Sequence, residues 1–283
     1  MTTKRRKKKY RFKPNKNTFV FLLALILFIW VISGIRSCTK YDRSLRGAEY
    51  ANEQVLLPEF QVRACMRPDG TPSADYQDIY PGTVGDKVMH LTFDDGPSKK
   101  VTPQILDVLK KYNVKATFFI IAKNAEQYPD LLKRIADEGH AIASHSYSHD
   151  FDILYADTES FREEIHAARE SLVNIVGEEN FTDVFRFPGG AFHDQRAEFK
   201  EVLIEENIPY VNWNCLTGDA ETRNPVPANL IEKAKKSAET AKSDSLILLM
   251  HDAGAKQATV DALPGVIEHF QKEGYRFDIL KRK

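Results

Sequence analysis

Residues 90–98 read HLTFDDGPS, and residues 145–149 read HSYSH. The first stretch sets two carboxylates, Asp94 and Asp95, side by side where an apolar run ends. The second spaces two imidazoles, His145 and His149, at i and i+4. On a helical turn that spacing puts both rings on one face, where they can hold one metal ion. Two imidazoles with one carboxylate leave open positions on a divalent ion, as hydrolytic metal chemistry requires. One aspartate of the pair can complete the ligand set while the other stays free as a base toward water. Adjacent like charges repel, and a cation between or beside them offsets the repulsion. Simpler explanations compete: a turn before Gly96-Pro97 for the carboxylates, and two ordinary histidines for HSYSH. A zinc-protease helix needs Glu directly after the first His, where this chain has Ser146. An aspartyl phosphotransferase uses D-x-D after a strand; the spacing differs here, and no phosphate-cradling glycine loop follows.

The elements that must carry these groups emerge from periodicity. Apolar runs at 88–93, 116–121, 141–144, 184–187, 210–216 and 246–250 read as buried strands. Between them lie helical patterns: TPQILDVLKKY, AEQYPDLLKRIADEG, DTESFREEIHAARESLVNIVG, DQRAEFKEVLIEEN, NLIEKAKKSAETAK and VDALPGVIEHFQKEG. Asp157 followed by Ser160 and Glu164 marks a helix start, and Gly139, Gly177 and Gly274 sit where helices stop. Strands alternating with helices imply βαβ units and a parallel sheet, either an incomplete (β/α) barrel or a doubly wound open sheet. Function then sits at the C-terminal ends of the strands. The polar residues ending these runs are Asp94, Asp95, His145, His149, Arg186, Asp219, His251 and Asp252. His90, His140, His166, His193 and His269 are read as structural, and Trp213 as core.

The formal net charge of zero hides an asymmetry. Residues 1–16 carry nine Lys or Arg and no acid; removing nine from 40 leaves 31 basic against 40 acidic residues, about −9 for residues 17–283. A nucleic-acid binder concentrates basic charge on its folded domain, and this chain does not. Residues 1–17 form a basic tail, and residues 18–35, TFVFLLALILFIWVISGI, contain no charge. As a helix they would span ~27 Å, near the thickness of a bilayer's hydrocarbon core. A transmembrane anchor with its N-terminus in the cytoplasm is expected, a cleaved signal peptide being the rival. Residues 36–86, rich in Pro and Gly, read as a stalk outside the membrane, followed by a folded domain at 87–283. Cys38, Cys65 and Cys215 imply no disulfide framework.

Taken in order, TFDDGP, HSYSH, RFPGG (186–190), NWNCLTGDA and LLMHD resemble the five motifs of the NodB-type polysaccharide deacetylases, carbohydrate esterase family 4. The resemblance covers about residues 87–283 and implies a deformed, incomplete (β/α) barrel. It makes Asp94 the base, Asp95, His145 and His149 the metal ligands, and Arg186 the partner that orients Asp94. His251 becomes the general acid, with Asp219 as its partner. The Gly189 N–H binds the oxyanion, and Leu249 lines the pocket for the acetyl methyl. One divalent ion is implied, Zn2+ first, with Co2+, Ni2+ or Mn2+ able to serve. Gly189 replaces the family's usual Tyr and Ala220 its usual Trp, which touches substrate shape rather than the metal or the proton-transfer groups.

The activity this implies is metal-dependent hydrolysis of N-acetyl groups, a linear-amide hydrolase reaction. With an anchored domain facing outward, the substrate is expected to be a cell-envelope glycan. Peptidoglycan comes first, through N-acetylglucosamine or N-acetylmuramic acid. Poly-N-acetylglucosamine and chitin oligomers follow, with acetyl xylan last. The rival of a different class is a catalytically inactive glycan-binding protein on the same fold.

Overall fold

The computed structural model describes residues 87–191, 196–241 and 243–280. The basic tail, the 18–35 anchor, the 36–86 stalk, Cys38, Cys65 and His193 lie outside the described residues. Among the described residues no helix is long and apolar enough to cross a membrane.

Strand β1 (Val88–Gly96) is buried along almost its whole length, as a central parallel strand covered on both faces must be. Around it lie β2 (Thr117–Ile120), β3 (Ala141–Ser144), β4 (Phe181–Phe185), β5 (Cys215–Leu216) and β6 (Ser245–His251), in the order β4-β3-β2-β1-β6-β5, with β7 (Arg276–Phe277) beside the start of β1. Every pairing is parallel. Helices α1 (Val101–Tyr112), α2 (Ala122–Gln127), α3 (Pro129–Asp137), α4 (Phe151–Leu154), α5 (Thr158–Val176), α6 (Ala197–Glu205), α7 (Pro227–Ala241) and α8 (Gln257–Lys272) make the crossovers. Most expected helices are present. The pattern expected at 125–139 falls in two helices, divided at Tyr128 because Pro129 starts a new helix at its first position. Asp157 caps α5, its carboxylate accepting the Ser160 N–H at 2.8 Å, and Gly177, at φ 84°, ends it.

The sheet curls until one segment meets both of its edges. Residues 210–216, expected as a full strand, pair regularly only at Cys215–Leu216. Upstream, the Phe185 N–H donates to Pro209 O at 2.8 Å and Val211 N–H to Phe185 O at 3.0 Å; downstream, Asn214 N–H donates to Ile247 O at 3.3 Å. A single stretch therefore bonds β4 first and β6 next, and it cannot stay a straight strand while doing both. Alternation divides the core accordingly. Phe118, Ile142, Leu246 and Leu248 pack under the helices. Phe119, Ala143, Val184, Val211, Trp213 and Ile247 form a separate buried cluster, partly lined by Leu249, on the concave side. Trp213 is core, as expected. Cys215 is buried, and burial pushes its thiol up to about 12.

Candidate active site

Adjacent residues of a regular strand point to opposite faces, so Asp94 and Asp95 could not both reach one site from an ideal β1. The register with β2 shifts between Asp94 and Gly96, and Asp95 sits at φ 74°. This bulge re-aims the second carboxylate beside the first. Asn124 at the start of α2 secures it, donating from Nδ2 to Asp95 O at 3.0 Å. Gly96 is required next: a Cβ there would lie 2.1 Å from Oδ2 of Asp252. Asp252, expected among the strand-end acids, is fully buried and accepts the Thr102 hydroxyl of α1. Burial pushes its carboxyl up to about 7.

The expected helical turn for HSYSH is absent. Residues 145–150 are irregular, with Ser146 at φ 72° and His149 at φ 58°. Secondary structure is lost, and tertiary hydrogen bonds replace it. The first N–H groups of α2, on Ala122 and Lys123, donate to Ser146 O and Tyr147 O at 3.1 and 3.0 Å. Buried Glu164 of α5 accepts the N–H groups of Tyr147 and Ser148 at 3.1 and 2.9 Å. Glu164, read from sequence as a helix-start signal, thus holds the loop that carries both imidazoles. Nothing local to the sequence pairs it with residues seventeen and sixteen positions earlier.

Together these distortions gather Asp95, His145 and His149. Nε2 of His145 lies 3.5 Å and Nε2 of His149 3.3 Å from Oδ1 of Asp95. Ligands of a tetrahedral zinc ion with bonds near 2 Å stand roughly 3.3 Å apart, so these three atoms fit around one ion. Nδ1 of His145 lies 2.8 Å from Arg186 O; that carbonyl can only accept, so the proton sits on Nδ1 and Nε2 is left as a lone-pair donor. Burial raises the Asp95 carboxyl, but the imidazoles of His145, His251 and His149 around it outweigh this and hold it well below the usual range. Burial, followed by the nearby His145, lowers His149, and both ligands therefore favour their metal-binding forms.

Asp94 has a different environment. It is 3% exposed, and its Oδ1 accepts from Nη1 of Arg186 at 2.8 Å while Oδ2 lies 3.8 Å from Nε2 of His145. Arg186 is wholly buried on the concave side, 3.9 Å from the Phe119 ring centre. Its other donors reach Thr92 Oγ1 and the carbonyls of Val211 and Asn212. Strand register sets Asp94 opposite His251 on β6. Nδ1 of His251 meets Oδ1 of Asp219 at 2.8 Å, and Oδ2 of Asp219 accepts both the His251 N–H at 2.8 Å and the Thr259 hydroxyl at 2.7 Å. Burial depresses the His251 ring, but Asp219, then Asp94 and Asp95, reverse this and push it up to about 9. Burial likewise raises Asp219, and the His251 hydrogen bond outweighs it, keeping the carboxyl low.

Leu249 is half-buried on β6 beside Thr92. Gly189, at φ 76°, donates its N–H to no described residue. His90 and His140 are buried, each lowered to about 4, chiefly by burial. The exposed ring of His166 pairs with Glu206, and His269 lies in α8. These four histidines stay out of the site.

Comparison with known proteins places the chain in a family. The sequence profile described as polysaccharide deacetylase matches residues 81–203. A peptidoglycan-N-acetylglucosamine deacetylase of Bacillus cereus is 31% identical over 229 residues, covering 77% of this chain and 77% of its own. This chain belongs to the polysaccharide deacetylase family. A Listeria monocytogenes relative, the peptidoglycan-N-acetylglucosamine deacetylase PgdA, is 34% identical over 258 residues; the match covers 86% of this deacetylase and 51% of that protein. Among solved structures, a Streptococcus mutans CE4 esterase superposes with a TM-score of 0.65 at 33% identity, over 72% of this chain and 89% of its own. The deacetylase is thus a hydrolase on the α/β fold of that family, with a parallel sheet.

Proposed function

We propose that the deacetylase removes acetyl groups from N-acetylglucosamine residues of peptidoglycan, using a divalent ion held by Asp95, His145 and His149. The observation that carries this reading is the convergence, at one end of one sheet, of a three-ligand set with two differently partnered proton-transfer groups. An ion bound there would polarise the acetamide carbonyl and lower the pKa of water. Asp94 accepts the proton of the attacking water, and Arg186 orients that carboxylate. The Gly189 N–H donates to the oxygen that gains charge, and Leu249 receives the acetyl methyl. His251, held charged by Asp219, protonates the departing amine. Acetate and a free amino sugar result.

The names of the relatives favour N-acetylglucosamine, and the same chemistry would serve N-acetylmuramic acid of the same polymer. We further propose that residues 18–35 anchor the chain in the cell membrane with residues 36–283 outside. That placement rests on the charge-free span behind a basic tail, and protease accessibility in intact cells tests it. Purified peptidoglycan incubated with the full-length chain should release acetate, and chelation should stop it. Mass spectrometry of the glycan fragments should show the acetyl group missing from glucosamine. No acetate with any of Zn2+, Co2+, Ni2+ or Mn2+ would sink the proposed activity; loss from muramic acid would reassign the sugar.

A further inference from the structure

Beside the metal-ligand loop stands an aromatic ring that none of the assigned roles uses. Phe151 opens α4, two residues after His149, and is 45% exposed. Its ring meets that of His149 edge-on, with centroids 5.6 Å apart, and that of Tyr155 at 5.5 Å. The Arg196 guanidinium lies 5.8 Å from its centroid. Gly189 lies under it: a Cβ there would be 3.2 Å from Phe151 Cζ. A side chain at position 189 would therefore press against this ring. Helix α4 does not need it as an anchor, since Leu154 is fully buried and Asp150 caps the helix.

We propose that Phe151 is a substrate subsite, a platform for the apolar face of the pyranose adjoining the one deacetylated. The inference rests on the proposed deacetylase activity for its ligand class. Three observations lead to it. An exposed aromatic face next to a cluster of acids and imidazoles suits a ligand that is apolar on one side and polar at its edge, as a sugar ring is. The side chains are also linked by contact: Phe151 touches His149, the rings of His149 and His145 are 5.1 Å apart, and His145 lies 3.8 Å from Asp94. Phe151 thus reaches Asp94 only through two imidazoles and borders Gly189 on its other side, so it flanks the reacting centre and leaves its exposed face to the adjoining sugar. Finally, a stable protein interface buries about 1,200 Å² or more in total, whereas the large apolar side chains exposed on α4 are Phe151 and Ile153. So small an apolar surface favours a sugar over a protein partner.

The test uses the full-length chain in detergent, stripped of metal so that turnover does not intrude, with calorimetric binding of N-acetylglucosamine and its β-1,4-linked tetramer. Phe151→Ala should weaken tetramer binding about tenfold, in the range of a truncated aromatic contact. It should leave monomer binding unchanged, and Phe151→Trp should restore the tetramer affinity. Zinc affinity of Phe151→Ala should match that of the unaltered chain. Equal tetramer binding by Phe151→Ala would overturn the subsite. So would a parallel loss of zinc affinity, which would mean that the ring only props His149. If the tetramer binds as expected yet no glycan releases acetate with any metal, the deacetylase activity fails while the platform stands.

Discussion

The two sides of the active-site mouth are built by opposite means. On the metal side, Asp95 and His149 have left-handed backbone, with Ser146 between the two histidines also left-handed. Secondary structure is broken there, and the side chains are held by distant partners such as Glu164 and Asn124. On the proton-transfer side, Asp94 and His251 are strand residues in register with each other. Each has a buried ionic partner, Arg186 or Asp219. The reason lies in what each side must do under the proposed mechanism. Three ligands have to converge on a point, which no regular strand end allows. A base and an acid must instead stand a fixed distance apart with different charges, which parallel register and separate partners supply.

Breaking the proton-transfer side alone should have the largest effect. Asp94→Asn should cut acetate release by about 10²–10⁴-fold, the usual contribution of a positioned base, with zinc affinity nearly unchanged. Equal loss of zinc binding would erase the division of labour between the two carboxylates. Breaking the metal side from a distance should come next. Glu164→Ala frees two loop N–H groups and should weaken zinc binding about 10- to 100-fold, as loss of a supporting shell does, while the protein stays folded. Circular dichroism with competitive chelation separates the two.

The acid's partner offers a finer test. His251, raised to about 9, keeps its proton through neutral pH, so turnover should fall as pH rises through about 9. Asp219→Asn removes the main cause of the rise, and the alkaline limb of the pH–rate profile should move to lower pH. The same pair contributes to stability. Its share is full below the ordinary histidine value of 6.5 and is lost as pH rises through about 9. The alkaline decline in melting temperature should therefore be smaller in Asp219→Asn. Smallest of all should be Leu249→Ala: a half-buried side chain, costing mainly a modest rise in KM and little stability.

The strand ends were legible because parallel βαβ order sends polar residues to one rim, and alternation puts Arg186, His251 and Asp94 on the concave side. Asp219 was legible only through motif order, since Gly218 before it suits a turn equally well. HSYSH was legible in residue type but not in conformation: i, i+4 spacing suits a helical turn, and the loop's tertiary hydrogen bonds override it. Glu164 and Phe151 carried no local signal. One resembles a helix start and the other an ordinary apolar residue beside one.

By itself the sequence determined which chemical groups exist and that they fall at the ends of buried strands, because periodicity and composition are local properties of the chain. Only the tertiary structure decided that Asp95 turns out of its strand and that His251 stands level with Asp94. It also decided that a carboxylate from α5 holds the loop bearing the imidazoles. Each of these depends on hydrogen bonds between residues far apart in the chain, and such pairings become defined only when the sheet closes.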